Sequence, residues 1–348
     1  MSGAASRDSG SPSLPLDLAA LVDRLSSLAG LQAKRDIQAP AAVFNHQPFP
    51  SLGAAAALGD DAALLPAQGG GLLLACEGMQ PALVQEDPWF AGWSGVLVNL
   101  SDIAAMGGRP LAVVNSIWSE ADQQAEELLE GMRFACERFA VPMVGGHTNR
   151  QSPYTALSVA VLGVLDGPVL SARAACAGDQ LWLLIHRSGR FHRHYPFWDA
   201  ATTADPERLQ TQLALMPRLA AAGVVRAAKD ISMGGIAGTA VMFAEACGLG
   251  LRIDLEAIER PAAVDELAWL SCFPSFGFLL AVPPAQGERL QHLVAVDAEL
   301  LCCPIGNFVA DRSGVTLERE GQGLPLWTGG DVLTGFGVLE RREPLSSM

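Results

Sequence analysis

The segment WSGVLVNLSDIAAMGG, Trp93–Gly108, decides how the rest of the chain is read. It is helical in pattern and closes on two glycines followed by Pro110, the residues that stop a helix. Asn99 and Asp102 stand three apart and share one face of it. On a helix otherwise built from valine, leucine, isoleucine, alanine and methionine, such groups need partners. A buried hydrogen-bond pair or an exposed polar stripe meets that need, and so does a metal or phosphate contact.

Upstream, in LGDDAALLP (Leu58–Pro66), AALLP reads as a strand joined by the turn AQGGG to a second, GLLLACEGM. Asp60 and Asp61 therefore fall where the first strand begins, and Glu77 where the second ends. Adjacent carboxylates repel, and an apolar setting makes both harder to ionise. A solvated turn or a cation held between them would explain the pair. The stretch from Pro40 to Gly53 reads as a loop, and Leu16–Leu31 as an amphipathic helix. Downstream, PLAVVNSIW is a strand, EADQQAEELLEGMRFACERF a long amphipathic helix, VPMVGG a short strand, HTNRQSP a loop and TALSVAVLGVL a strand. This alternation predicts a mixed α/β domain over residues 16–166, after a disordered tail at 1–15.

DGPVLSARAACAGDQ is rich in glycine and proline and marks a boundary, with a second domain over 170–345. There QLWLLIH is a strand, PERLQTQLALMPRLAAAG and GGIAGTAVMFAEACG are helices, and LGLRIDL is a strand. FGFLLAVPP and CCPIGNFVA are strands flanking a helix. At 348 residues the chain is long enough for two cores.

The net charge of −14 argues against a nucleic-acid partner, because phosphate backbones select basic surfaces. It suits divalent cations, or anions carried in with them. Only two lysines occur, Lys34 and Lys229, and neither lies in a G-x-x-x-x-G-K loop, which excludes a Walker-type nucleotide site. Seven cysteines form no C-x-x-C pair and mostly sit in apolar runs, fitting reduced thiols and a cytoplasmic setting. The start lacks a secretory pattern, and no apolar run reaches the ~18 residues that span a membrane.

Two further segments carry candidate chemistry. VGGHTNR (Val144–Arg150) offers Gly145 and Gly146, which let backbone N–H groups approach an anion, and the Thr148 hydroxyl; a plain turn is the alternative. KDISMGGIAG places Lys229, Asp230 and Ser232 before Gly234 and Gly235 at a helix start, where free N–H groups attract anions. Asp230 could equally be a cap. Together Asp60, Asp61, Glu77, Asn99, Asp102, Thr148 and Asp230 are oxygen ligands without a His/Cys cage, which suits Mg²⁺ rather than zinc. In FHRHYPFW, His192 and His194 could be a metal pair, or a binding or packing element. Glu245, farther along the helix after Gly235, reads as surface charge.

The order of LGDDAALLP, VNLSDIAAMGGRP, VGGHT and KDISMGGIAG resembles the aminoimidazole ribonucleotide (AIR) synthase, or PurM-like, superfamily over residues 50–340. Thiamine-monophosphate kinase, selenophosphate synthetase, formylglycinamidine ribonucleotide synthetase and a hydrogenase maturation dehydratase are relatives. The resemblance implies an α/β (α+β) architecture of two domains with mixed sheets covered by helices, the first pairing with its copy in a homodimer. It implies ATP with Mg²⁺ between the domains, partly enclosed by the dimer mate. Asp60, Asp61, Glu77, Asp102 and Asp230 would hold metal. Asp61, Asn99, Gly145, Gly146, Thr148, Ser232, Gly234 and Gly235 would contact ATP. His147 stands where relatives carry an acidic residue, and could contact phosphate or act as acid or base.

Member-specific marks narrow the resemblance. A reactive cysteine near the N-terminus and a C-terminal acceptor cysteine are both missing. Met233 stands where thiamine-monophosphate kinase carries aspartate, and the lysine-bearing segment of AIR synthase is replaced by EGMQPALVQEDPWFAGW. The nearest match is an AIR-synthase-related branch of unassigned reaction. The expected activity is ATP-dependent transfer of the γ-phosphoryl group to an oxygen of a small molecule. Asp230, Lys229 and His147 are the candidate catalytic residues, and Arg109, Arg150, His192 and His194 the candidate substrate contacts. Thiamine-monophosphate kinase and a non-catalytic ATP-binding sensor are the competing readings.

Overall fold

The computed structural model describes residues 16–44, 59–67 and 70–336. Three short helices open it: α1 (Leu18–Ser26), α2 (Ala29–Gln32) and α3 (Gln38–Phe44). The first lobe is a five-stranded sheet of β1 (Ala63–Ala67), β2 (Gly70–Gly78), β3 (Arg109–Trp118), β4 (Met143–Asn149) and β5 (Ala156–Leu165). Its order is β1-β2-β5-β3-β4; the β3–β4 pair is parallel and the others are antiparallel. α4 (Pro81–Glu86), α5 (Pro88–Ala105) and α6 (Asp122–Phe139) complete the lobe.

Alternation along β5 explains the packing. Leu157, Val159, Val161 and Leu165 face inward and join Trp93, Val96, Leu100 and Ile103 of α5 in one core. Leu128 and Met132 of α6 enter the same core. The two helices cross at a pair of glycine notches. A Cβ on Gly92 would lie 2.1 Å from the Leu128 carbonyl oxygen, and one on Gly131 2.0 Å from that of Trp89. Only residues without side chains let the backbones come this close.

The second lobe is a seven-stranded sheet ordered β15-β14-β10-β13-β6-β12-β9. Its strands are β6 (Gln180–His186), β9 (Ala227–Asp230), β10 (Gly250–Asp254), β12 (Gly277–Val282), β13 (Leu300–Val309), β14 (Gly314–Arg319) and β15 (Gln322–Thr328). One face packs on α9 (Gly235–Cys247) and α10 (Glu266–Leu270), the other on α8 (Leu215–Ala221) and α11 (Gly287–Val294). β7 (Arg190–Phe191), β8 (Phe197–Asp199) and β11 (Phe273–Pro274) form a separate small sheet, and α7 (Pro206–Leu213) follows β8. Although first in the chain, α1 packs Leu18, Leu21 and Leu25 into the core of this second lobe.

The mixed sheets covered by helices are the architecture the sequence predicts. Four local expectations change. The first amphipathic helix breaks at Ser27–Leu28, and the predicted 206–223 helix is two helices meeting at Ala214. β4 continues through His147, Thr148 and Asn149, where a loop was expected, because Ser116, Ile117 and Trp118 of β3 pair with them. Residues 40–44 are helical rather than looped; 45–53 of that stretch, and the tail 1–15, lie outside the described residues.

Candidate active site

A cleft of about 400 Å³ opens between the lobes. One wall is a single face of α5, with Phe90, Ser94, Leu97, Val98, Ser101 and Asp102 at helical spacing. Asp87 caps this helix, accepting from the Phe90 N–H at 3.3 Å. The end of β2 contributes Glu77, and the loop before β1 contributes Asp60 and Asp61. From the second lobe come Lys229 and Asp230 at the end of β9, then Ser232 and Met233.

Asp60 and Asp61 are used differently. Asp60 accepts from the Ser171 hydroxyl and, at 2.9 Å, from the Ala172 N–H, fastening its loop to the linker between lobes. Each of its oxygens accepts one hydrogen bond and keeps lone pairs free, and Asp60 lines the cleft. Asp61 turns the other way into an ion pair with Lys229, and accepts from the Asp230 N–H at 3.2 Å. The adjacent carboxylates thus have different protein partners, and both line the cleft.

Asp61, Asp102 and Asp230 are all buried in the cleft floor. Burial, then the Asp230, Glu77 and Asp61 charges, holds the Asp102 carboxyl well above the usual carboxylate range. Burial and Asp61 push Asp230 up to about 7. Glu77 keeps contact with solvent at the wall, yet crowding by protein atoms raises it too. Burial opposes the Lys229 ammonium, but the Asp61 and Asp230 carboxylates outweigh it and raise its pKa.

The set is short of positive charge. Asp102 Oδ2 is buried without a hydrogen-bond partner, an expensive state for a carboxylate oxygen. A hard dication would relieve it, and the donors are all oxygen, so the residues fit Mg²⁺. Among the described residues, no three acidic, histidine or cysteine side chains converge tightly enough to cage an ion alone. Mg²⁺ tolerates such a site, because it keeps waters and takes phosphate oxygens alongside one or two carboxylates.

Other expected site residues lie elsewhere. Asn99 shares the helix with Asp102 but turns away from the cleft, fully buried, donating to the Gly95 carbonyl at 2.7 Å. Gly145, Gly146, His147 and Thr148 are exposed on the edge strand β4 and do not line the cleft in a single chain. Arg109 pairs with Asp166 at 3.4 Å, and Arg150 with Asp122 at 2.7 Å, all on the surface. His192 stacks on Phe90 at 3.6 Å with Nε2 2.9 Å from Asp87, while His194 faces Glu86 at 3.5 Å. Serving separate carboxylates, the two histidines do not converge on one ion.

The glycine pair before α9 is also used for packing. Gly234 and Gly235 have φ of 102° and 68°, and a Cβ on Gly235 would lie 2.4 Å from the Ser271 carbonyl carbon. The Gly30–Leu31 backbone seats against Gly234, covering the helix start that was expected to be open to an anion. Ser232 alone of this group reaches the cleft with Met233. Glu245, expected as surface charge, accepts from the Thr334 and Gly335 N–H groups and anchors the segment that brings Phe336 to the cleft.

Sequence reasoning missed Lys34 and the aromatic wall of Phe90, Trp93, Phe197 and Phe273. One signal was available: both lysines of a chain with 37 acidic residues end in this cleft.

Comparisons with known proteins show the family and the fold. The AIR synthase related protein N-terminal domain matches residues 59–165, and the corresponding C-terminal domain matches residues 178–318. An uncharacterized protein of Synechocystis sp. is 48% identical over 265 residues, covering 76% of this chain and 82% of that one. Thiamine-monophosphate kinase of Synechococcus elongatus is 26% identical, over 70% of this chain and 82% of its own. The solved structure of AaThiL complexed with AMPPCP and TMP gives a TM-score of 0.62 at 19% identity, covering 82% of this chain and 94% of that one. That likeness shows the fold. With both domain families matched in order along the two lobes that wall the cleft, the chain belongs to the AIR synthase related protein family.

Proposed function

We propose that this protein is an ATP- and Mg²⁺-dependent enzyme that transfers the γ-phosphoryl group to an oxygen of a small molecule. The observation that carries the reading is the floor of the cleft: Asp61, Asp102 and Asp230 buried around Lys229, with an Asp102 oxygen lacking a partner. Support comes from the thiamine-monophosphate kinase relative and from the fold shared with a protein complexed with AMPPCP.

In this reading Asp102, Asp230 and Glu77 would hold Mg²⁺. The ion supplies charge neutralisation across phosphate oxygens. Asp61 fixes the Lys229 ammonium, and Lys229 and Lys34 face the transferring group as point charges. The acceptor oxygen bonds to the γ-phosphorus as the bond to the bridging oxygen breaks and ADP leaves. The residues contribute positioning and electrostatics, the main levers in phosphoryl transfer.

A homodimer belongs to the proposal. The outer face of the five-stranded sheet carries Leu74, Val114, Val144 and Leu162 in solvent, and β4 with its Gly-Gly-His-Thr run lies at the edge of that face. Docking a second copy there would cover the patch and set the β4 residues beside bound nucleotide. All seven cysteines are unpaired, which supports a reducing, cytoplasmic setting, and no described helix is long and apolar enough to cross a membrane.

Isothermal titration with Mg²⁺ and ATP, together with an ADP-release assay, tests the reading. Asp102→Asn and Asp230→Asn should each abolish the magnesium-dependent heat and cut turnover at least 100-fold. Unchanged ATP consumption in both variants would reject it.

A further inference from the structure

The two ends of the cleft differ in chemistry. Every carboxylate of the proposed metal site, and both lysines, stand at one end. At the other, Leu83, Phe90, Trp93, Leu97, Phe197 and Phe273 make an apolar wall. α5 runs between them: from Asp102 back to Phe90 is twelve residues, or ~18 Å at ~1.5 Å per residue.

The rings of this wall are held from behind. Phe197 stacks on Tyr195 at 5.1 Å, lies 6.2 Å from Phe90 and meets Phe273 edge-on at 6.0 Å. His192 backs Phe90 at 3.6 Å and is itself fixed by Asp87. Tyr195 donates its hydroxyl to Glu86 at 2.6 Å. Phe197 and Phe273 remain half-buried, with ring surface left for a ligand. A pre-formed apolar slot with few polar groups is the usual form of a small-molecule site. Ser94, Ser275 and the Asp199 carboxylate, which already accepts from the Ala201 and Thr202 N–H groups, supply those groups. The Ser275 hydroxyl accepts from the Ala200 N–H at 2.9 Å, which leaves its O–H able to donate.

Charge narrows the ligand further. Of the chain's 23 lysines and arginines, only Lys34 and Lys229 line the cleft among the described residues, and no arginine or histidine does. Arg173 approaches the cleft beside Gly59, at the carboxylate end. A phosphate monoester needs cationic or N–H donors, with arginine the usual choice. The aromatic end has no cationic side chain, and the carboxylates beyond it repel a second anion.

We infer that the aromatic end binds the body of the phosphoryl acceptor, and that this acceptor is a flat, apolar or aromatic molecule carrying an amide-type oxygen and no phosphate of its own. The inference rests on the phosphotransferase reading above, and it separates this site from that of AaThiL, which was solved with TMP.

The test uses two probes with one ring. Saturation-transfer difference NMR is recorded on the full chain with benzamide or with phenyl phosphate, with and without Mg²⁺ and AMPPCP. Benzamide should give ring signals at least tenfold stronger than phenyl phosphate, retained when AMPPCP is added. Phe197→Leu should weaken them at least fivefold, with Phe273→Leu as the second variant; a cooperative melt verifies that each is folded. Equal signals from phenyl phosphate, or insensitivity to both substitutions, would overturn the inference. Displacement of benzamide by AMPPCP would also overturn it, assigning the aromatic end to adenine. Absence of AMPPCP binding with the benzamide signal intact would instead retire the phosphotransferase reading and leave the ligand class standing.

Discussion

At the scale of single residues, the cleft floor trades stability for cation binding. Asp102 is buried with three carboxylates raising its proton affinity, and one of its oxygens is unpartnered. Asparagine keeps the shape and removes the charge. Asp102→Asn should therefore stabilise the magnesium-free chain, because it removes a buried charge that three neighbouring carboxylates oppose. Thermal melting in EDTA should show a higher midpoint than wild type, and added Mg²⁺ with ATP should no longer raise it further. A variant that melts lower than wild type in EDTA would mean that Asp102 is a satisfied structural carboxylate. Sequence patterns brought Asp61, Asp102 and Asp230 to attention as oxygen donors, and the structure puts them in one cleft. Sequence could not separate Asp60 from Asp61, because neighbouring loop residues project in different directions and only the tertiary partners, Ser171 and Lys229, distinguish them. Lys34 carried no spacing signal at all, since its place depends on how the N-terminal helices drape over α9.

At the scale of elements, α5 is the part on which both ends of the site depend. Its pattern was legible because two glycines and a proline close it, and because its apolar content forces burial on nearly every side. What could not be read was which face meets the cleft. Asn99 and Asp102 differ by about 60° around the axis, enough to send one toward the sheet and the other toward the ligand. The edge strand β4 was misread for a related reason: glycine, histidine and asparagine are weak strand formers, and pairing with β3 overrides that preference. The orientation of α5 is fixed by its crossing with α6. Gly131→Ala should drive a methyl group into the Trp89 carbonyl, which a Cβ would approach to 2.0 Å. The helices must then separate, at a cost of about 3 kcal/mol, read as a lower urea midpoint with unchanged slope. Because the wall of the cleft moves with α5, Mg-ATP affinity should fall with it. Wild-type stability in this variant would show that the notch is loose and does not set the helix.

At the scale of the whole molecule, the remaining question is what covers the outer face of the five-stranded sheet. Antiparallel sheets commonly leave one face to water, but that face is then polar. Here Leu74 and Leu162 are cross-strand partners on β2 and β5, Val114 on β3 stands one pair along, opposite Ala160, and Val144 lies at the β3–β4 register break; they are 46%, 38%, 40% and 65% exposed. A contiguous apolar surface across four strands marks an interaction site. An identical copy meets it in the simplest way, since a two-fold axis pairs a patch with itself. Leu162→Glu places a carboxylate in the patch on each copy, so association would bury two like charges. Sedimentation velocity should find the wild-type chain at twice 36.5 kDa and the variant at 36.5 kDa. If the exposed β4 glycines and Thr148 reach nucleotide only in the pair, the variant should also lose ATP turnover while keeping its fold by circular dichroism. A wild-type chain that sediments as a monomer at micromolar concentration would remove the dimer from the proposal. A monomeric variant with full turnover would leave each cleft complete by itself, and His147 and its neighbours without a part in the chemistry.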